Sequence, residues 1–186
     1  MRVVSGLEHA PAAHELIADT FRRSAMPFMD EKAFHRMIRG LGEYVRVFAA
    51  LRGGDLQGCA VIPFSRYRAY YAYGGTAPSP VTGASNLLQW EVIRYFHAMG
   101  TQSYDFCGAR VDPDPGSKAA GLVMYKERFG GELLKGYMWK SSLRPLKAAF
   151  YHLGVRFLRG GDIVDQERRR LAKRRGDVSL GTSQRS

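Results

Sequence analysis

The sequence predicts a mixed α/β (α+β) domain, with a central sheet covered by helices on both faces, followed by a basic helical tail. Helical spacing comes first, β-rich runs follow, and helix and strand patterns then alternate to about residue 140. A hydrophobic content of 45% supports a core, which excludes the disordered class. The formal net charge is +11, and beyond residue 140 eleven Lys/Arg face only four Asp/Glu. We therefore expect a domain at 1–140, a basic tail at 141–175 and a disordered end at 176–186.

The first half of the chain predicts two helices and an antiparallel meander. Apolar spacing places helices over 9–23 and 31–41, and Asp30 is the expected N-cap of the second. Three β-rich runs follow, namely YVRVFAAL, CAVIPF and YRAYYAYGG. The stretch RGGDLQG between the first two runs is typical of a tight turn, so neighbouring strands should run antiparallel.

The second half alternates helices and strands. We expect a helix in SNLLQWEVIRYFHAM with Ser85 as N-cap, a short buried strand in SYDFCG, a helix ending at Gly130 or Gly131, and a last strand in ELLKGYMWKSS. A strand–helix–strand–helix–strand order after a meander is similar to the GNAT-like acyltransferase fold.

Several classes of catalytic site are missing from the sequence. It contains no G-x-S-x-G, HExxH, Walker A or G-x-G-x-x-G pattern, and its five histidines share no ligand spacing. Cys59 and Cys107 have no metal spacing, and we expect Cys107 to be a buried structural cysteine. No metal site is therefore predicted. Because no run of about 18 apolar residues and no signal-peptide pattern occurs, we expect a cytoplasmic protein, with the inner membrane face as a peripheral location.

Four short stretches stand in an order that points to one family. They are YAYGGT (71–76), NLLQW (86–90), YDFCG (104–108) after Gly100, and YKERFGGE (125–132). In this order and spacing they resemble the Fem family of peptidoglycan bridge-forming aminoacyltransferases. The resemblance covers about residues 12–140 and matches only the second of the two acyltransferase-like domains of a typical member.

The resemblance implies a chemistry and a set of partners. The family transfers an amino acid from aminoacyl-tRNA to an amine of a lipid- or nucleotide-linked peptidoglycan precursor. It needs no metal or dissociable cofactor, so aminoacyl-tRNA, or acyl-CoA in the related enzymes, enters as co-substrate. The family's groove uses two domains and this chain matches one. The chain is therefore a fragment, a domain whose missing half a homodimer or a partner chain replaces, or a relative with another acceptor.

The resemblance assigns roles to residues near the third and fourth motifs. Lys126 matches the family's lysine after an aromatic residue, and it would stabilise the negative charge that develops on the carbonyl oxygen during transfer. Its alternative is an ordinary surface lysine on a helix. Tyr125 would shape the pocket for the transferred group or the terminal adenosine. Asp105 ends a strand at the edge where α/β folds place ligands, so it either accepts a proton from the attacking amine or caps the next turn.

Arg23 and a pair of tyrosines complete the candidate set. Arg23 follows Thr20 as in the family's Thr-x-x-Arg stretch, where the arginine contacts a phosphate of the precursor. Its neighbour Arg22 is the alternative contact. Tyr71 and Tyr73 are two residues apart on a predicted strand, so we expect them to share one face, where they either line the substrate groove or pack in the core.

The basic tail carries an amphipathic pattern. Leu143, Leu146, Phe150, Leu153 and Phe157 are spaced three or four residues apart and form one stripe on a helix. Four bases lie off that stripe, and QERRRLAKRR follows at 166–175. Such a helix contacts an anionic membrane surface, binds tRNA phosphates, or packs on its own domain.

Two other functions compete with the hypothesis of a Fem-type aminoacyltransferase. The first is an acyl-CoA-dependent N-acetyltransferase of the GNAT family, which cradles pyrophosphate in an Arg/Gln-x-x-Gly-x-Gly/Ala turn after a strand. No such turn follows YRAYYAYGG, which counts against coenzyme A. The second rival is a non-catalytic binding module on membrane or RNA.

Overall fold

The computed structural model describes residues 1–109, 113–134, 143–159 and 172. The chain divides into two compact units, Met1–Leu134 and Lys135–Ser186. The described elements of the first unit are β1 (Arg2–Ser5), α1 (Ala10–Arg23), α2 (Glu31–Leu41), β2 (Val45–Arg52), β3 (Asp55–Pro63), β4 (Arg68–Tyr70), β5 (Tyr73–Thr76), α3 (Ala84–Ala98), β6 (Ser103–Asp105) and α4 (Lys118–Glu127). In the second unit the structure describes α5 (Pro145–Arg159).

The main sheet has the order β1-β2-β3-β5, and all its neighbours are antiparallel. The expected meander is therefore confirmed. Alternate residues of β2 point to opposite faces, so Val45 and Val47 join the core under α1 and α2, whereas Phe48 and Ala50 join the core under α3. The sheet is thus covered by helices on both faces, as the sequence predicted.

The N-cap of α2 is the residue that the sequence indicates. The Oδ1 atom of Asp30 accepts a hydrogen bond from the Ala33 amide at 2.7 Å. This bond satisfies one of the amides that a helix leaves without an intrahelical partner at its start.

Replacing Asp30 with alanine should lower the free energy of unfolding by about 1 kcal/mol, because the Ala33 amide loses its acceptor. Urea denaturation followed by circular dichroism measures this change. Asp30→Asn keeps the acceptor oxygen and should stay near the wild-type stability. Equal destabilisation by both substitutions would contradict the capping role.

The structure adds one strand that the sequence did not predict and moves the start of one helix. Strand β1 was not predicted, because four residues are too few to show a period. It forms by pairing with β2, where Arg2 faces Leu51. Helix α3 begins at Ala84 rather than after Ser85, so the predicted N-cap is wrong. Gly83 precedes α3 at φ 81°, and its carbonyl accepts the Leu87 amide.

The predicted third strand is broken in the structure at Tyr71 and Ala72. The Ala72 amide donates to the carbonyls of Val61 and Tyr70, at 3.2 and 2.8 Å, and the Tyr71 amide donates to the Asp105 carbonyl at 2.8 Å. Before the break, β4 pairs in parallel with β6, and after it β5 pairs with β3. The chain therefore bonds to β6 up to Tyr71 and pairs with β3 from Tyr73 onward.

Some predictions fall beyond the part of the chain that the structure describes. Residues 132–134 of the predicted last strand are not in a strand, and residues 135–142 lie outside the described ranges. The predicted disordered end at 176–186 lies outside them as well. Helix α5 falls within the predicted tail. Within the described ranges, the helices are too short or too polar to cross a membrane.

Candidate active site

Most of the candidate side chains lie beside two segments of the chain, Tyr73–Thr76 in β5 and Asp105–Gly108 at the end of β6 and in the turn after it. We call these two segments together the splay. Two glycines shape its β5 side. A Cβ atom on Gly74 would overlap the Tyr71 hydroxyl, and one on Gly75 would lie 2.8 Å from the Ile17 nitrogen in α1. The glycines of the YAYGGT motif therefore allow a tyrosine and a helix to approach β5 closely.

Arg23 fastens α1 to the end of β5. Its Nε lies 3.0 Å from Oδ2 of Asp19, and its Nη2 donates to Thr20 Oγ1 at 3.0 Å and to the Thr76 carbonyl. Thr20 Oγ1 also accepts the Thr76 amide at 3.0 Å. The side chain of Arg22 pairs with Asp19 and is 75% exposed. Of the two neighbours, Arg23 is thus the one positioned at the splay.

Asp105 caps the turn that follows β6. Its Oδ1 accepts the Cys107 amide at 2.7 Å, and its Oδ2 lies 3.7 Å from Nη1 of Arg68. Cys107 is exposed, with φ at 58°. The expectation of a buried Cys107 is therefore wrong, because the strand ends at Asp105 and the turn carries the next residues outward. Because Asp105 Oδ1 already accepts the Cys107 amide, the geometry favours the capping role of Asp105.

Lys126 lies in the last turn of α4 and reaches the same turn after β6. Its Nζ donates to the carbonyls of Cys107 and Gly108, at 3.2 and 2.7 Å. Partial burial lowers the pKa of Lys126, while the neighbouring Cys107 and Asp105 act in the opposite direction. Lys126 and Asp105 therefore meet at one turn, as expected of two groups in one site.

The Phe-Gly-Gly sequence after Lys126 ends α4. Gly130 has φ 77°, and a Cβ atom on Gly131 would lie 2.8 Å from the Lys126 carbonyl oxygen. The Phe129 ring lies 5.9 Å from the Phe106 ring, measured between centroids. This motif thus fixes the end of α4 against the segment that follows β6, which orients Lys126.

Three phenols line the interior beside the splay. The Tyr125 hydroxyl donates to the Ser85 carbonyl at 3.1 Å, and burial raises the pKa of Tyr125 to about 12. Burial also raises the pKa values of Tyr71 and Tyr104, which interact electrostatically with Tyr125. All three phenols are therefore neutral near pH 7, and they act as hydrogen-bonding groups rather than bases.

Two of the residues beside the splay were not singled out in the sequence. Gln89 is the buried polar residue of α3, and its side-chain amide donates to the Tyr104 hydroxyl. A glutamine between Leu88 and Trp90 in an otherwise apolar run was the available signal, since a buried amide needs a partner. Tyr104 opens the YDFCG motif, but no role was assigned to it from the sequence.

Tyr73 lies on the other face of the sheet. It packs against the core under α1 and α2, with its ring 5.4 Å from that of Phe28, whereas Tyr71 packs against the core under α3. The expectation that the two tyrosines share a face is wrong, because the break at Ala72 interrupts the alternation of the strand. The structure brings Tyr71 and Tyr125 together and leaves Tyr73 apart.

The loop between β5 and α3 has few amides to offer a ligand. The Ala77 amide donates to the Gln57 backbone carbonyl and the Val81 amide to Gln57 Oε1, both at 3.0 Å. Pro78 and Pro80 have no amide hydrogen. Four residues of this seven-residue loop are therefore unable to donate to a phosphate.

The positive charges near the splay come from other elements. The sequence has no lysine or arginine between Arg68 and Arg94, a stretch that contains the whole β5–α3 loop. Of the residues that the structure describes, Arg23, Arg68 and Lys126 bring positive charge to the splay. Lys118 donates to Ser24 Oγ at 2.8 Å near the end of α1. Among the described residues, no three His, Cys, Asp or Glu side chains are grouped closely enough to hold a metal ion.

Solved structures share this architecture at low sequence identity. The aminoglycoside N-acetyltransferase AAC(6')-Iy, solved with CoA, superposes with a TM-score of 0.58 at 13% identity, over 76% of this chain and 94% of that one. An aminoglycoside acetyltransferase from an uncultured soil metagenomic sample, solved with sisomicin, gives 0.55 at 12% identity, over 76% and 96%. FemX gives 0.55 at 16% identity, over 69% of this chain and 50% of FemX. These similarities support the fold.

The sequence itself matches a family model. No curated protein sequence matches the chain. Residues 1–120, which include the sheet and the β6 turn, match the model described as an acetyltransferase (GNAT) domain. The chain therefore belongs to the GNAT acetyltransferase-domain family.

Proposed function

We propose that this protein is an N-acyltransferase of the Fem type, which transfers an aminoacyl group from aminoacyl-tRNA to an amine of a peptidoglycan precursor or a similar acceptor. The observation that carries the proposal is the position of Lys126, which holds a cation over the turn after β6. Two of the four family-like motifs support it, because Gly74 and Gly75 in YAYGGT and Gly131 in YKERFGGE each allow a close backbone or side-chain approach.

In this reaction the acceptor nitrogen attacks the ester carbonyl carbon of the donor. A C–N bond forms, the C–O bond to the tRNA ribose breaks, the nitrogen loses a proton and the ribose oxygen gains one. Two hydrogen bonds of the Lys126 ammonium go to the carbonyls of Cys107 and Gly108, and a third donor remains for the developing oxyanion. Lys126 thus stabilises the transition state, while Asp105 positions the turn that holds it.

The β5–α3 loop supports a donor other than acyl-CoA. A pyrophosphate is usually held by free amides and cations at the start of a helix. Here two loop amides are bonded to Gln57, two residues are prolines, and the loop lacks basic residues. Arg23, fastened to the end of β5, would instead meet a phosphate of the acceptor precursor.

A transfer assay with defined donors tests the proposal. The purified protein is incubated with charged tRNAs or with acyl-CoAs, together with lipid-linked and nucleotide-linked muropeptides, and products are read by mass spectrometry. An added aminoacyl mass is the expected result. Transfer from acyl-CoA alone would show that the protein is an acyl-CoA-dependent acyltransferase instead. Absence of transfer with every donor and acceptor would overturn the enzyme proposal in favour of a binding module.

The pH profile of the reaction should report Lys126. The ammonium form of Lys126 is the active one, and burial lowers its pKa. We therefore expect kcat to fall as the pH rises, with a midpoint below the pKa of an exposed lysine, which is about 10.4. In Lys126→Arg the guanidinium stays charged, and the residual activity should lose this alkaline decline. An unchanged decline in Lys126→Arg would assign the titration to another group.

A further inference from the structure

A stripe of large apolar side chains runs along α5 in the second unit. Leu146, Phe150 and Leu153 follow one another at spacings of four and three, so they share one face of the helix. They are 78%, 76% and 54% exposed. Contiguous apolar surface of this kind on a helix marks a place where another apolar phase or surface binds.

The charge of the same segment has one sign. The sequence from residue 141 to residue 161 contains Arg144, Lys147, Arg156 and Arg159, and no Asp or Glu. Residues 162–175 add six further Lys/Arg against three Asp/Glu. A partner for this helix must therefore offer both an apolar phase and negative charge.

We propose that α5 binds the surface of an anionic lipid bilayer. It lies in the plane of the interface, with its apolar stripe among the acyl chains and its bases on the headgroup phosphates. RNA also offers phosphates, but it gives no apolar phase to Leu146, Phe150 and Leu153. At 15 residues, α5 is shorter than the roughly 20 residues that span a bilayer. This inference does not rest on the proposed transfer reaction.

Vesicle co-sedimentation of the full chain tests the proposal with two charge-defined variants. The protein should bind vesicles of phosphatidylcholine with phosphatidylglycerol, and bind vesicles of phosphatidylcholine alone much less. Phe150→Gln with Leu153→Gln keeps the charge and should weaken binding about 100-fold, because two apolar side chains no longer enter the acyl region. Arg144→Gln with Lys147→Gln should weaken binding about fivefold for each base at low salt.

The same variants identify results that would overturn the proposal. Binding to a short RNA duplex in place of vesicles, unaffected by Phe150→Gln with Leu153→Gln, would make α5 an RNA-binding helix. A large drop in the melting temperature of that variant, with no vesicle binding by the wild type, would show that the stripe packs within the protein. Equal binding to neutral and anionic vesicles would refute the role of charge.

Discussion

Replacing Lys126 with methionine should lower kcat for acyl transfer about 100- to 1,000-fold, the usual cost of removing one donor to an oxyanion. Methionine keeps most of the side-chain volume and loses the cation that bonds the carbonyls of Cys107 and Gly108. The change should appear in kcat more than in KM, because the oxyanion exists only in the transition state. Single-turnover kinetics separates the chemical step from product release.

Lys118→Met is the matched control for this variant. Lys118 is a second lysine on α4, and its Nζ bonds Ser24 Oγ rather than the turn after β6. Its loss should leave the chemical step within a few-fold of the wild type. If both lysine variants lose activity equally, the total positive charge of α4 supports the transfer, rather than a specific contact of Lys126. If Lys126→Met retains full activity while folded, Lys126 is a surface residue and the catalytic assignment is wrong.

Replacing Gly75 with alanine should lower the free energy of unfolding by about 1–3 kcal/mol, the cost of an overpacked core position. The new Cβ would lie 2.8 Å from the Leu16 carbonyl carbon and from the Ile17 nitrogen, and both are backbone atoms that move only with α1. Displacing α1 also disturbs the bond between Arg23 and the Thr76 carbonyl, so activity should fall together with stability. Thermal unfolding and the transfer assay measure the two effects.

A glycine in open space gives the control for Gly75→Ala. Gly40 lies in α2, and nothing lies within 4 Å of the Cβ that alanine would add there. Gly40→Ala should be neutral or slightly stabilising, because alanine favours the helix. A Gly75→Ala protein as stable as Gly40→Ala would show that α1 and β5 are not in the close contact described above.

The sequence predicts most of the fold because its signals are local. The periodic stripes of α1 and α2 and the N-cap of α2 are predicted from neighbouring residues, as the Asp30 bond to Ala33 illustrates. The break at Ala72 is not local, since it depends on pairing with Val61 and on Tyr71 pairing with Asp105. The tyrosine-rich run therefore predicts one strand from the sequence, although its two halves belong to different sheets.

The candidate site shows the same division. Lys126, Tyr125 and Arg23 were predicted from motifs, and in the structure those motifs end a helix or fasten it to a strand. Gln57 and Gln89 were missed, because their importance lies in contacts with Val81 and with Tyr104. Partners so far apart in sequence leave no periodic or spacing signal.

If the splay transfers an aminoacyl group under the control of Lys126, a competition between two donors will reveal it. Aminoacyl-tRNA and acetyl-CoA are supplied together at equal concentration with one amine acceptor, and the mass added to the acceptor is recorded for the wild type and Lys126→Met. We expect the wild type to add an aminoacyl mass to the acceptor and Lys126→Met to add almost none. An acetyl mass, or an aminoacyl mass that persists in Lys126→Met, would contradict it.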